Sequence, residues 1–353
     1  MARVKPTPLG LGYRMPAEWE PHAATWLAWP HEKTDWPGKF APIPWVYADI
    51  VRHLSQAERV RMLVADAGTE RSVRPMLKKA GANLSAVDFF HVPTNRGWIR
   101  DFGPIFVRNE KGDRAVTNWH FNAWAKYDDW KKDDAANDRL AAKLKWKQWR
   151  PEFRRRRVVL EGGSIDVNGC GTLLTTEECL LSPVQARNPE VSREELEEIF
   201  RDYLGVTHVL WLKNGIAGDD THGHVDDLAR FVDPATVVTV VESDPTEANY
   251  PPLQENLALL REMKDQDGHM LRVETLPMPA PVYFDGQRLP ASYANFYIAN
   301  QIVLVPTFND PNDAVALTKL VDLFPGRTII GIGCLDLVLG LGTIHCMTQQ
   351  EPA

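Results

Sequence analysis

The fold is decided by the stretch LARFVDPATVVTVV, residues 228–241. Two runs of apolar and β-branched residues flank Asp233-Pro234, a dipeptide that is typical of turns. The stretch therefore predicts a β-hairpin, with strands over residues 228–231 and 237–241.

The same form recurs three times along the chain. Residues 105–107 and 115–117 flank Lys111-Gly112-Asp113, residues 164–167 and 172–175 flank Asn168-Gly169, and residues 296–298 and 302–306 flank Asn300. Helical periodicity predicts helices over residues 191–204, 252–264 and 313–324, with Ser192 as the N-cap of the first. Hairpins followed by helices indicate a degenerate α/β repeat of roughly 40–60 residues.

A polar group stands just before or at the start of each predicted hairpin. These groups are Asp101, Glu161, His224 with Asp226, and Asn295, and a last module would end in Cys346. A radial arrangement of repeats would bring the start of every unit to one axis, so we expect these side chains to form one site. Because no linker or change in composition divides the chain, residues 1–353 are predicted to form a single domain.

Composition excludes several classes of function. The net charge of −7 and the pI near 5.8 do not favour nucleic acid, although they suit a cationic substrate. We predict no membrane partner, because no apolar run is long enough to span a bilayer. The N-terminal residues lack a signal-peptide pattern and the four cysteines lack C-x-x-C spacing, which predicts a cytoplasmic protein. The oligomeric state stays open, a homo-oligomer included.

Cys346 lies between a glycine-rich turn and a polar run, in GLGTIHCMTQQ, residues 340–350. Such a thiol can be reached by a substrate and activated by a base, and His224 is the candidate base. A lone cysteine is more often a small buried apolar residue, but these polar flanks argue against that interpretation.

The acidic candidates suit a planar cation. Asp101 follows Trp98 closely, and an aromatic face and a carboxylate can hold a guanidinium between them. Glu161 would add a second carboxylate and fix the plane of the cation. Each residue also has a plain structural interpretation, with Trp98 in the core and Asp101 capping a turn.

His224 and Asp226 would point to the same face of a strand, where the carboxylate would raise the pKa of the imidazole. Such a histidine could protonate a leaving amine and then deprotonate a water molecule. One alternative is a metal site formed by His222, His224 and Asp226. Another is a guanidino-binding protein without catalysis, which would not need Cys346.

Six motifs together resemble the agmatine deiminase family, also called the bacterial (Porphyromonas-type) peptidyl-arginine deiminases. They are WIRDFGP (98–104), FNAW (121–124), EGGS (161–164), DTHGHVD (220–226), SYANFY (292–297) and IHCMTQQ (344–350). The resemblance covers about residues 13–350, nearly the whole chain. It implies the pentein fold, a five-bladed pseudo-symmetric α/β propeller of ββαβ modules.

The resemblance also implies a hydrolase of guanidino groups that uses no metal and no cofactor. Cys346 would be the nucleophile, His224 the general acid and base, and Asp226 its partner, with Asp101 and Glu161 holding the guanidinium. Trp98 and Asn295 would line the substrate site. Asp220 is a candidate from the sequence itself, and it could bind the distal positive group of a substrate or cap a loop.

Agmatine is the substrate that the resemblance favours, and it would be converted to N-carbamoylputrescine on the way to putrescine. A peptidyl-arginine deiminase is the alternative, and a metal-dependent amidohydrolase a more remote one. The family usually has Gly-Gly-Gly-Asn before Ile-His-Cys, where this chain has Gly340-Leu341-Gly342-Thr343. Leu341 therefore adds bulk where the backbone approaches the substrate pocket.

Overall fold

The computed structural model describes residues 6–353 and has a mixed α/β fold. These residues contain five sheets of three or four strands and two small two-stranded sheets. In each of the five larger sheets, an antiparallel strand pair is extended by a parallel strand that follows a helix. In four of the five sheets the antiparallel pair is one of the predicted hairpins.

Three of these sheets have three strands each. Their strands are Asp166–Val167, Thr172–Thr176 and His208–Leu212; Ala229–Asp233, Thr236–Val241 and Arg272–Pro277; and Tyr297–Ile298, Ile302–Thr307 and Thr328–Gly333. The central strand of each is almost fully buried, as expected for strands covered on both faces. All three predicted hairpins in these sheets are confirmed.

The other two larger sheets have four strands each. The first has the order Tyr13–Arg14, Ile105–Asn109, Arg114–Thr117 and Gln148–Trp149, and contains the fourth predicted hairpin. The second has the order Gln349–Pro352, His22–Ala28, Val60–Val64 and Val87–His91. It joins strands from opposite ends of the described chain, a pairing that the sequence analysis did not predict.

The three predicted helices are present with shifted ends, as Arg193–Leu204, Tyr250–Glu262 and Asn312–Leu323. The predicted N-cap is confirmed: Ser192 and Glu195 form a reciprocal capping box. The remaining α-helices are Ile43–Ala57, Ala67–Ala80, Ile99–Phe102, Lys131–Asp134, Ala136–Leu144 and Glu177–Leu181. Across residues 6–353, every helix is too short or too polar to span a bilayer.

Short turns at the start of the sheets carry the polar residues singled out above. Asp101 lies in the helix Ile99–Phe102, Glu161 directly precedes the 3-10 helix Gly162–Ser164, and His224 precedes the 3-10 helix Val225–Asp227. His224 and Asp226 were predicted to share one strand, and this prediction is wrong. The reason is local, since His222 and Gly223 both adopt left-handed backbone angles that interrupt an extended run.

Candidate active site

Cys346 lies at the bottom of a cavity of about 240 Å³. The turn that carries it is tied to a distant segment, because the Arg100 amide donates to the Cys346 carbonyl oxygen at 3.1 Å. Gly342 lies directly beside the thiol: a Cβ there would come within 3.2 Å of Sγ and 3.0 Å of the Trp98 ring. The glycine-rich turn therefore leaves space between the sulfur and the aromatic wall.

Asn295 fixes the thiol through a set of buried hydrogen bonds. Its Nδ2 donates to Cys346 Sγ at 3.2 Å and to Asp227 Oδ1 at 3.0 Å. Its Oδ1 accepts from Thr343 Oγ1 at 2.7 Å and from the His345 amide at 3.0 Å. Thr343, which replaces the family's usual asparagine, thus helps to orient the amide that contacts the sulfur.

His224 lies between two buried carboxylates. Nδ1 is 3.7 Å from Asp101 Oδ1, and Nε2 is 3.8 Å from Glu161 Oε2. Neither ring nitrogen has a hydrogen-bond partner within residues 6–353, and the Glu161 Oε2 atom has none there either. Buried polar atoms are normally paired, so these atoms indicate a position that a polar ligand fills.

Gly163 brings these groups close together. A Cβ at this position would come within 2.6 Å of His224 Nδ1, 2.8 Å of Asp101 Oδ1 and 3.0 Å of Asp226 Oδ2. Its own amide donates to Asp101 Oδ1 at 3.1 Å. Only a residue without a side chain allows the imidazole and the carboxylates to approach the backbone so closely.

The two carboxylates beside His224 titrate very differently. Burial raises the pKa of Asp101 to about 6, although His224 acts against it. Burial acts to raise the pKa of Glu161, but Arg187, whose Nε donates to Oε1 at 3.1 Å, and His224 together outweigh burial and lower that pKa to about 2. Glu161 therefore stays ionised at neutral pH, whereas Asp101 is the more easily protonated acid.

Neighbouring charges also determine the protonation states of the His224 imidazole and the Cys346 thiol. Burial opposes the charged form of His224, yet Asp101, Cys179 and Glu161 together outweigh burial and raise the pKa of His224 well above its ordinary value. Burial, and after it the charges of Asp226 and Asp227, raise the pKa of the Cys346 thiol. Without a bound cation, the site therefore holds an imidazolium and a neutral thiol.

Asp226 is supported by residues that the sequence analysis missed. Its Oδ2 lies 2.6 Å from His345 Nδ1, and His345 Nε2 lies 2.9 Å from Glu18 Oε2. Burial would raise the pKa of Asp226, but the hydrogen bond with His345 lowers it. Glu18 is in turn paired with Arg100 at 3.2 Å and Arg230 at 3.0 Å. His345 stood inside a quoted motif, whereas no local pattern identified Glu18.

The wall and mouth of the cavity contain aromatic and charged groups. Trp98 lines the cavity, and so does Trp124, whose Nε1 donates to Asp101 Oδ2 at 2.9 Å. Asp220 also lines it, but its carboxylate accepts hydrogen bonds from Lys126 and from the Tyr127 hydroxyl. The structure thus places Asp220 in the cavity lining with its carboxylate already paired to other side chains.

The alternative metal arrangement is not formed by the residues that suggested it. His222 Nε2 lies 3.0 Å from Ser182 Oγ, and its Nδ1 lies 3.7 Å from Glu178. The His222 ring is therefore engaged with different partners from those of His224.

The predicted residues come together although they belong to segments distant in sequence. Trp98, Asp101, Asp220 and Cys346 line the cavity. The other four are buried and connected to these residues by close contacts: His224 with Asp101, Glu161 with His224, and Asp226 and Asn295 with Cys346. Cys346 Sγ donates to Asp226 Oδ2 at 3.8 Å. This arrangement can hold a planar cation among carboxylates beside a thiol and a proton donor.

Comparison with known proteins gives consistent results. A family model described as Porphyromonas-type peptidyl-arginine deiminase matches residues 14–352. A relative from Pseudomonas aeruginosa named agmatine deiminase is 37% identical, covering 100% of this chain and 99% of its own. Another from Ectopseudomonas mendocina, with the same name, is 35% identical over 100% of this chain and 99% of its own.

Solved structures show the same likeness. The structure of an agmatine deiminase of Enterococcus faecalis superposes with a TM-score of 0.91 at 34% identity, covering 99% of this chain and 98% of that one. An amidinotransferase from Microseira wollei, at 11% identity and a TM-score of 0.50, shares the fold alone.

Proposed function

Because the chain belongs to the Porphyromonas-type peptidyl-arginine deiminase family, we propose that it is an agmatine deiminase. The enzyme hydrolyses a C–N bond of the guanidinium group of agmatine, releasing ammonia and N-carbamoylputrescine. The observation that carries this function is the buried thiol of Cys346 in contact with Asp226, which lies with His224 and Asp101 around Gly163, in a chain with full-length agmatine deiminase relatives.

Substrate binding supplies the missing positive charge. A guanidinium between Asp101 and Glu161 would satisfy the unpaired Glu161 Oε2 and orient the central carbon toward Cys346 Sγ. The same charge would offset the carboxylates that raise the pKa of the thiol, so that the thiolate forms in the complex. Asp226, whose Oδ2 accepts from the thiol at 3.8 Å, would first receive the proton.

The reaction then proceeds in two steps. The Cys346 thiolate forms an S–C bond to the guanidinium carbon, and the C–N bond to the departing amino group breaks as His224 gives that nitrogen a proton. Water next adds to the thiouronium carbon with His224 as base. The S–C bond then breaks, leaving the ureido product and the free thiolate.

We also propose that the five larger sheets are the blades of a pseudo-symmetric propeller. All five share the order of antiparallel strand pair, helix and parallel strand, which supports this, and residues near the sheet starts contact one another. A single domain, a cytoplasmic location and a role in putrescine formation stay predictions from the sequence, and the oligomeric state stays open.

The test compares ammonia release from agmatine, free arginine and a blocked arginine peptide. Agmatine is expected to be hydrolysed with the highest kcat/KM, and Cys346→Ser should remove turnover while retaining agmatine binding measured by calorimetry. Cys334→Ser, which changes another buried cysteine, should retain turnover. Faster turnover of the peptide would support the peptidyl-arginine alternative, and full activity of Cys346→Ser would refute the nucleophile.

A further inference from the structure

Cys179 is a buried thiol that the reaction above does not use. It lies in the helix Glu177–Leu181 and is 1% exposed, with its backbone amide held by the Thr176 hydroxyl at 3.0 Å. Its sulfur, a carboxylate oxygen of Glu161 and a ring nitrogen of His224 all lie within 4.8 Å of one another. Thiol, imidazole and carboxylate therefore converge on the side of His224 that faces Glu161.

Two of these three groups offer atoms that are free to bind a ligand. Both ring nitrogens of His224 and the Oε2 atom of Glu161 are buried without hydrogen-bond partners among the described residues. His224 Nε2 and Glu161 Oε2 are 3.8 Å apart, close to the roughly 3.3–3.7 Å between two ligand atoms of a tetrahedral zinc ion. One sulfur, one nitrogen and one carboxylate oxygen form a donor set that zinc accepts.

We propose that Glu161, Cys179 and His224 form an inhibitory binding site for a thiophilic divalent cation such as Zn²⁺. The ion would bond to the Cys179 thiolate, the Glu161 carboxylate and the neutral imidazole, with water as a fourth ligand. The Cys179 proton and one imidazolium proton leave to solvent on binding.

Occupation of this site stops the proposed reaction without contact to the nucleophile. The metal takes up the Glu161 oxygen that pairs with the substrate cation and the imidazole that moves protons. Zinc and agmatine therefore compete. The site differs from that of a metal-dependent hydrolase, because removing the ion increases activity instead of abolishing it.

Cobalt(II) is the direct probe, since a Co²⁺–thiolate bond gives a near-ultraviolet charge-transfer band whether or not the enzyme turns over. We expect the band in the unaltered protein, in Cys346→Ser and in the control Cys334→Ser, and expect it to be absent from Cys179→Ser and Cys179→Ala. A band retained in both Cys179 variants, a band lost from Cys346→Ser, or no band in the unaltered protein would overturn the proposal.

Inhibition gives a second readout, which alone depends on the proposed agmatine deiminase activity. Zn²⁺ should raise the KM for agmatine without lowering kcat, and EDTA should reverse the effect. In Cys179→Ser the inhibition constant for Zn²⁺ should be at least about tenfold higher, as expected for loss of one ligand. Equal inhibition of both proteins would count against the site, and failure of agmatine as substrate would leave the cobalt spectra interpretable.

Discussion

Gly163 offers the sharpest test of the site, through the substitution Gly163→Ala. The added Cβ would lie 2.6 Å from His224 Nδ1, whereas ordinary contact begins at 3.4 Å. The imidazole or the backbone must therefore retreat by about 0.8 Å, and a shift of about 1 Å in a reacting group can cost about 100-fold in rate. That factor corresponds to about 2.7 kcal/mol of transition-state stabilisation.

The assay is kcat/KM for ammonia release from agmatine, with thermal denaturation measured in parallel. Overpacking is expected to cost about 1–3 kcal/mol of stability, so the variant should remain folded. Its kcat/KM should be lower than that of the unaltered enzyme by about 100-fold or more. Gly333→Ala is the matched control, because a Cβ there meets nothing within 4 Å. A folded Gly163→Ala variant with activity within threefold of the unaltered enzyme would refute the tight arrangement around His224.

Four further predictions concern charge and space in the site. Since Asp101 must be ionised to pair with the substrate and its pKa is raised to about 6, kcat/KM should fall as the pH drops through 6; a flat profile from pH 7.5 to 5 would contradict this. Because the pKa of Asp101 is raised from 3.8 to about 6, its ionisation destabilises the protein without substrate as the pH rises across that interval; bound agmatine pairs with the ionised form and should therefore increase Tm more at pH 8 than at pH 5. Arg187→Gln leaves Glu161 buried and unpaired, and should cost about 3–5 kcal/mol by denaturant titration, against at most about 1 kcal/mol for the half-exposed Arg193→Gln. Leu341→Gly removes a cavity-lining side chain at φ 67°, and should raise kcat/KM for a blocked arginine amide about tenfold relative to agmatine; an unchanged ratio would show that Leu341 does not limit substrate size.

Local signals were sufficient for much of the fold. The four hairpins follow from turn residues between apolar runs, and Ser192 with Glu195 marks a helix start that the structure contains. The fifth larger sheet could not be predicted in this way. Trp26 donates to Glu351, 325 positions away, and no local pattern specifies such a partner.

The site residues also differ in whether local sequence predicts them. Cys346, His224 and Asp101 stand in recognisable motifs; Cys346 and Asp101 line one cavity, and the buried His224 lies 3.7 Å from Asp101. Arg187 forms an ion pair with Glu161, and Glu18 forms one with His345. The residues that flank Arg187 and Glu18 in the sequence contain no pattern that predicts these contacts. The error at His224 arose because residue types alone did not reveal the left-handed turn just before it.

The pairing of strands His22–Ala28 and Gln349–Pro352 has a consequence for the folding pathway. Closing a loop of more than 300 residues carries a large entropic cost before the contact returns any stabilisation, and such long-range pairing forms slowly. Cys346 lies three residues before the later strand, which begins at Gln349, so we expect it to reach the other proposed catalytic groups when that pairing forms. During refolding from denaturant, the sheets built from residues close in sequence should form first. Recovery of enzymatic turnover should therefore lag behind recovery of the circular dichroism signal.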